Sequence, residues 1–502
     1  MPTVGDMKNG VSRPYAWLIC LSLVATALAQ ESLSSRTLAG WWVADPVPGG
    51  ESSHVALQFL ERDGKQEAHL SLPAIGAYDI NLGEVAISGN SLETKGLAFP
   101  LTWNPGAGTL SGHIPADAAP VYNIPVVFKR GEPQAKAASR DWKAPRPKVR
   151  WTVDTGAPVW AGLERHADSG LLFVGNERGA LHAIDGDGKV HWKFETGAPI
   201  RAQPKVIGGD VFVASDSGYL YKLSLGTGAE AWRVRIVSDA PARIPTDNEK
   251  TRWDRYGSSV VSEGKRLYIA SRDKNLYALD MKTGRELWRV AAGDMMTATP
   301  ALYGDLVIIA DLAGGVRAVS SKDGATRWNY DAKLGIGGDV VVAGDRVLAG
   351  SRSYDLVALD AATGRELWKH YYWFSWIESP PLVRDGVVYT GSSDATHVYA
   401  LNLADGTLRW KAAVPGYSWQ RTAIYKEWLV AGTVGQGGYP GPRAGSLVAM
   451  DRASGAIRWI FLEPPTQAVA KARENWGFGA SPVVGNGVVY AADLNGKVFA
   501  LE

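Results

Sequence analysis

Cysteine is nearly absent from this chain: of 502 residues, Cys20 is the only one. It lies in an apolar stretch that reads as removed on export, which leaves the mature chain with none. That excludes disulfides, thiolate metal sites and a cysteine nucleophile, and without C-x-x-C-H it excludes covalently attached haem. A charge imbalance is also missing. The formal net charge is +2, so no basic field points to nucleic acid. The eight His are scattered without metal-ligand spacing. There is no G-x-S-x-G, no phosphate loop and no basic run. Beyond the N-terminus there is no long apolar tract.

The N-terminal apolar stretch has the layout of a secretory signal. Lys8 and Arg13 supply the positive region, and Tyr15 to Leu28 form an apolar core of 14 residues. Ala27-Leu28-Ala29 then offers small residues before Gln30, so residues 1–29 read as a signal peptide. A membrane anchor is the rival, but the core is short for a span of about 20 residues. Lipid anchoring at Cys20 is disfavoured because Ile19 stands where a small residue is wanted. The expectation is a periplasmic or secreted protein with no transmembrane segment after cleavage.

What the chain has in excess is glycine, 57 residues, and tryptophan, 20 residues. Many Gly imply many turns and many short strands. From residue 149 the sequence repeats, most clearly in "LYALDMKTGRELWRV" and "LVALDAATGRELWKH". Seven times a Gly stands four residues before a Trp, at Trp192, Trp232, Trp288, Trp328, Trp368, Trp410 and Trp459. Alternating apolar stretches with polar tips precede each one and read as β-hairpins. A period near 40 residues with about four strands per unit is the mark of a β-propeller. The last hairpin pair stops at Glu502 without its Trp strand, whereas "PKVRWTV", with Trp151, has no hairpin before it. The first strand therefore completes the last blade and closes a ring of eight. Closure also removes exposed sheet edges.

The pattern A-x-D-x-x-T-G-x-x-x-W, as in Ala278 to Trp288 and Ala358 to Trp368, resembles the tryptophan-docking motif of the PQQ-like propeller family. That family takes in quinoprotein alcohol dehydrogenases and the propeller lipoprotein of the outer-membrane protein assembly machine. The resemblance covers about residues 147–502 and is specific for fold, because the motif is structural. It implies that Trp151 and its seven counterparts wedge between blades while the Asp and Thr cap the turns.

Residues 34–130 show no such repeat. Short alternating stretches such as "HVALQFLERDG" and "AHLSLPAIG" read as a small antiparallel β-domain, a barrel or a sandwich. Their pattern looks like a small β-domain found ahead of some secreted bacterial hydrolases. Residues 131–148 are polar and rich in Pro and Ala, and read as a linker. The fold class is thus all-β: a small antiparallel domain ahead of an eight-bladed propeller.

Candidate chemistry sits in the connections from each docking Trp to the next blade's first strand, which converge on one mouth of the central channel. They offer Trp160, Arg201, Trp253, Arg255, Met296, Trp376, Glu378, Trp419, Arg421, Asn475 and Trp476. Aromatic walls with a few Arg, a carboxylate and an amide suit a ligand pocket. Large aromatics also plug propeller channels. The long polar insertion at 236–257 favours the pocket. "DGDGK" at 185–189 resembles the start of a calcium loop, but Gly197 stands at its twelfth position, so a turn is expected. No metal site is expected.

These features imply a non-catalytic binding or scaffold module of the cell envelope. Its partner is an envelope protein or peptide, or a small aromatic or sugar ligand, and no cofactor is expected. The alternative implied by the resemblance is a dehydrogenase of alcohols or sugars using pyrroloquinoline quinone with Ca²⁺, for which Glu378, Asn475 and Asp254 offer the chemical types. Against it, the chain lacks the adjacent-cysteine disulfide, the longer loops and the haem module of the alcohol dehydrogenases. Against the assembly-machine likeness, the chain lacks an anchoring cysteine and carries an extra domain.

Overall fold

A computed structural model describes residues 32–44, 55–72, 77–97, 99–115, 123–133, 142–237, 255–372, 375–436, 443–464 and 475–502. The expected signal segment, Trp253 and Asp254 lie outside the described residues.

The N-terminal unit is a closed barrel of eight antiparallel strands, from Gly40–Ala44 to Asn123–Arg130. The first strand pairs with the last, Trp42 opposite Arg130, so the choice between barrel and sandwich falls to the barrel. Alternation along Ala56–Arg62 turns Leu57 and Phe59 inward, where they meet Trp42 and Trp103. The two indoles meet edge to face at 5.9 Å. A four-residue helix, Ser35–Leu38, starts on the Ser34 cap, and Trp42 Nε1 donates to Leu38 O at 2.7 Å.

The rest of the described chain forms eight sheets in a ring, seven of four strands and one, the seventh, with a fifth short strand at Asn475–Gly477. Blades 1 to 7 span 164–195, 205–235, 260–291, 301–331, 341–371, 382–413 and 423–463. Blade 8 spans 483–501 and takes its outermost strand from Val149–Asp154, with Ala500 opposite Trp151. Middle strands are buried on both faces, as in Leu172–Gly175, because each blade packs between two others. The outermost strands alternate between half-buried and exposed, as in Val190–Glu195.

Seven of the eight docking Trp lie on the glycine of the next blade's turn; Trp459 instead packs in the core between blades 7 and 8. A Cβ on Gly228 would stand 2.5 Å from Trp192, and one on Gly364 would stand 2.5 Å from Trp328. Both glycines have positive φ, so the turn and the close approach each call for Gly. At several blades the indole N–H is bonded in the same step: Trp192 Nε1 donates to Leu225 O at 3.0 Å and Trp368 Nε1 to Leu403 O at 2.9 Å, whereas Trp232 Nε1 and Trp288 Nε1 are buried without a hydrogen-bond partner among the described residues. Asp280 caps its turn by accepting from Thr283 N and Oγ1, and this hydrogen bonding holds its carboxyl below the usual range. The stretch at 185–189 is a turn of the same kind, with Asp185 Oδ1 accepting from Asp187 N and Lys189 N.

The seam between blades 7 and 8 receives extra support. Lys148 and Glu502 exchange backbone bonds of 2.9 and 2.8 Å. Upstream, Pro145 O accepts from Ile460 N at 3.0 Å, Arg146 lies over Phe461 at 4.3 Å, and Trp142 packs on the core between blades 6 and 7. The described part of the expected linker thus lies on the propeller.

Candidate functional site

Just ahead of each innermost strand the chain reaches the channel mouth, and short polar residues there sew neighbouring blades together. Gln203 Nε2 donates to Leu163 O at 2.8 Å. Ser259 Oγ donates to Gln203 O at 2.7 Å, and Ser259 N donates to Thr299 Oγ1 at 3.1 Å. Thr299 N donates to Asp339 Oδ1 at 2.7 Å. Ser379 Oγ donates to Gln420 O at 2.7 Å, and Arg421 N to Ser481 Oγ at 3.2 Å. Leu163 N returns to Ser481 O. Between blades 5 and 6 the seam is steric, because a Cβ on Gly337 or Gly338 would clash with Glu378.

Inside this circle lies a narrow cleft of about 50 Å³. Of the residues picked from sequence, Trp160, Arg201, Glu378 and Trp419 line it. Gln203, Tyr256, Thr299, Asp339, Gln420 and Ser481 line it as well. These six lay within the convergent stretches but were not picked. Their signal was positional, a polar residue at a fixed place in the forty-residue period, and the louder aromatics obscured it.

The aromatic rings largely cover one another. Trp160 and Trp419 are only 5% and 2% exposed. Trp419 stacks on Tyr417 at 4.8 Å and 7°, and Arg443 lies over the Tyr417 ring at 5.3 Å. Tyr256 meets Trp160 edge to face at 6.2 Å, and Arg255 lies over Trp160 at 4.8 Å. The Tyr256 hydroxyl accepts from Gln420 Nε2 at 2.5 Å, and burial pushes its pKa up.

The charges are matched just as closely. Arg201 grips Glu177 with Nε at 2.9 Å and a terminal nitrogen at 2.5 Å, and lies 3.6 Å from Asp216. Arg352, not picked from sequence, bonds buried Glu378 at 2.7 Å and lies over the Trp376 ring at 5.0 Å. Arg421 faces Asp339 at 3.6 Å. The remaining expected residues sit elsewhere. Met296 belongs to the core between blades 3 and 4 and borders a second cleft, between blades 2 and 3. Asn475 and Trp476 lie on a short strand, Asn475–Gly477, that pairs with blade 7 at Val434–Gln436. Among the described residues no group of three or more His, Cys, Asp or Glu is placed to hold a metal ion. None of their helices is long and apolar enough to cross a membrane.

Eight radially packed blades, seven of their seams locked by a Trp on a Gly turn, define a PQQ-like β-propeller. A family model described as "Outer membrane protein assembly factor BamB" matches residues 144–249, 218–336 and 313–502. The chain belongs to this family. It is 27% identical over 172 residues to outer membrane protein assembly factor BamB of Burkholderia pseudomallei, covering 33% of this chain and 41% of that protein. It is 28% identical over 233 residues to polyvinylalcohol dehydrogenase of Sphingopyxis sp., covering 44% of this chain and 29% of that protein. The chain therefore spans less than half the length of each of these two curated relatives. The crystal structure of BamB from Moraxella catarrhalis superposes with a TM-score of 0.53 at 18% identity, covering 71% of this chain and 97% of that one. At that identity the likeness speaks for the fold.

Among the described residues, the mouth does not suit pyrroloquinoline quinone. That cofactor carries three carboxylates, and Arg201, Arg352 and Arg421 each already face a protein carboxylate. Glu378, which offers the carboxylate type only under the quinone alternative, is tied to Arg352, and Asn475 does not line the cleft with it.

Proposed function

We propose that this chain is a non-catalytic binding propeller of the cell envelope, exported by residues 1–29, that presents its channel-mouth face to a partner polypeptide. The observation that carries this reading is the internal pairing of the mouth. Among the described residues, most of its seams are sewn by hydrogen bonds, Arg201, Arg352 and Arg421 are matched to carboxylates, and Trp160 and Trp419 are buried. Such a face is rigid and pre-organised, which lowers the cost of binding a protein surface. Membership of the BamB family supports the same reading.

The test has two arms. Purified protein is mixed with pyrroloquinoline quinone and Ca²⁺, then assayed for a bound chromophore and for dye reduction with simple alcohols and sugars. In parallel, a photo-crosslinker at Arg384, on the exposed channel side of blade 6, is compared with one at Arg178 in the first blade's turn at the mouth. No dye reduction, with polypeptide capture from the mouth position, is expected. Dye reduction overturns the reading in favour of a quinone-dependent dehydrogenase.

A further inference from the structure

Two separate devices close the channel mouth. The first is the circle of blade-to-blade contacts, hydrogen bonds at most seams and the close Gly337/Gly338–Glu378 contact between blades 5 and 6. The second is a single side chain, Tyr256, which arrives from the connection between blades 2 and 3 and crosses the opening to blade 7. Its hydroxyl meets Gln420, 164 positions away in sequence. Its ring stands edge-on to Trp160, from the connection between blades 8 and 1. None of the blade-to-blade bonds described above runs through the Tyr256 side chain. Its neighbour Gly257 is held independently, by Gly257 N donating to Arg201 O at 3.1 Å. The ring of blades thus has its own closure, and Tyr256 occupies a slot within it.

We infer that this slot is a subsite for a tyrosine side chain of the partner polypeptide, with Tyr256 as its built-in occupant in the unbound protein. This rests on the binding reading above and names the chemistry of the partner. The slot's preferences can be read from what fills it. Trp160 offers an indole against which a phenol ring packs edge to face. Gln420 offers an amide donor where the hydroxyl lands. The paired charges around it disfavour an ionic occupant, since a charge placed there would face no uncommitted counter-ion. The cleft that surrounds the slot is open on one side, so a chain-borne side chain has an approach.

The test uses full-length protein and three short capped peptides, Gly-Tyr-Gly, Gly-Phe-Gly and Gly-Ala-Gly, titrated by tryptophan fluorescence, with 4-methylphenol as a small probe. Tyr256→Ala empties the slot. Tyr256→Phe keeps the ring but drops the Gln420 bond, and so guards against a variant that fails to fold. Affinity for the Tyr peptide is expected to rise from wild type to Tyr256→Phe to Tyr256→Ala, by at least about tenfold over the series. In the Tyr256→Ala background, Gln420→Ala is expected to erase the preference for Tyr over Phe, and the Ala peptide is expected not to bind. Equal binding of all three peptides, or no rise across the series, overturns the inference. So does uptake of 4-methylphenol without the Tyr peptide, which would mark a closed core cavity. Failure here leaves the dye test untouched, and dye reduction overturns the wider reading whatever the peptides do.

Discussion

Replacing Asp493 with Asn is expected to stabilise the propeller near pH 8 and to do little near pH 4. Asp493 lies in the turn between the second and third strands of blade 8 and is fully buried. Its Oδ1 accepts from Asn495 N at 3.0 Å and from Lys497 N at 2.7 Å. Burial outweighs those two donors and, with the charge of Glu463, pushes the carboxyl from 3.8 up to about 6. A displacement of that size corresponds to about 3 kcal/mol. The folded state binds this proton more tightly than the unfolded chain does. The stabilising contribution is therefore complete below about 3.8 and is lost as pH rises through about 6. Asn stays neutral throughout and keeps the accepting oxygen. Blade 1 already shows that an amide serves here: Asn176 accepts from Arg178 N at 3.1 Å and Ala180 N at 3.0 Å, and donates to Thr155 O at 2.8 Å. Urea unfolding of both proteins between pH 4 and 8 reads the difference directly. The gain should grow from near zero to about 3 kcal/mol. A gain that does not change with pH, or a variant less stable than wild type at pH 8, refutes the reasoning.

His182, one position before the residue opposite a docking Trp, works with the opposite sign. Burial first, and Lys193 second, lower it from 6.5 to about 4, so its contribution is present above 6.5 and lost as pH falls through 4. Its counterpart in blade 8 is Phe499, and His182→Phe should remove a loss of about 3 kcal/mol on acidification, seen in the same urea series. Gly364→Ala should cost about 2 kcal/mol, since it forces a side chain into positive φ and against Trp328; Trp328→Ala should cost about 4 kcal/mol, both by urea midpoint. Glu378→Ala strands the Arg352 guanidinium and should cost about 3–5 kcal/mol, while replacing both residues with Met should recover most of it in a double-mutant cycle.

The fold was legible because the repeat spells it out locally. Each blade announces its turn by a Gly and its docking strand by a Trp, and the unmatched Trp151 strand gave away the closure. The barrel was legible only as short alternating strands, since closure depends on Trp42 meeting Arg130 across 88 positions, which no local pattern encodes. At the mouth, period and position pointed to the stretches that border the cleft, and composition singled out Trp160 and Trp419 there but passed over their polar neighbours. Trp residues drew attention, whereas the contacts that shape the cleft are Gln203, Thr299, Tyr256 and Gln420. Partners such as Glu177 for Arg201 and Arg352 for Glu378 come from turns between blade strands, outside the connecting stretches that sequence marked. Pairings of that kind are set by three-dimensional neighbourhood, and a periodic pattern carries no trace of them.

Borrowing the last blade's outer strand from the start of the propeller also sets an order of events during synthesis. Val149–Asp154 leaves the ribosome early, but its partner, Lys497–Leu501, is made about 350 residues later. Until then the early strand is an unsatisfied edge, open to mispairing. The barrel, whose strands all lie between residues 40 and 130, has no such wait. Contacts of so long a range slow folding and expose intermediates to aggregation. The rate-limiting event should therefore be the meeting of these two segments, with the bonds from Pro145 to Ile460 and from Lys148 to Glu502 forming alongside it.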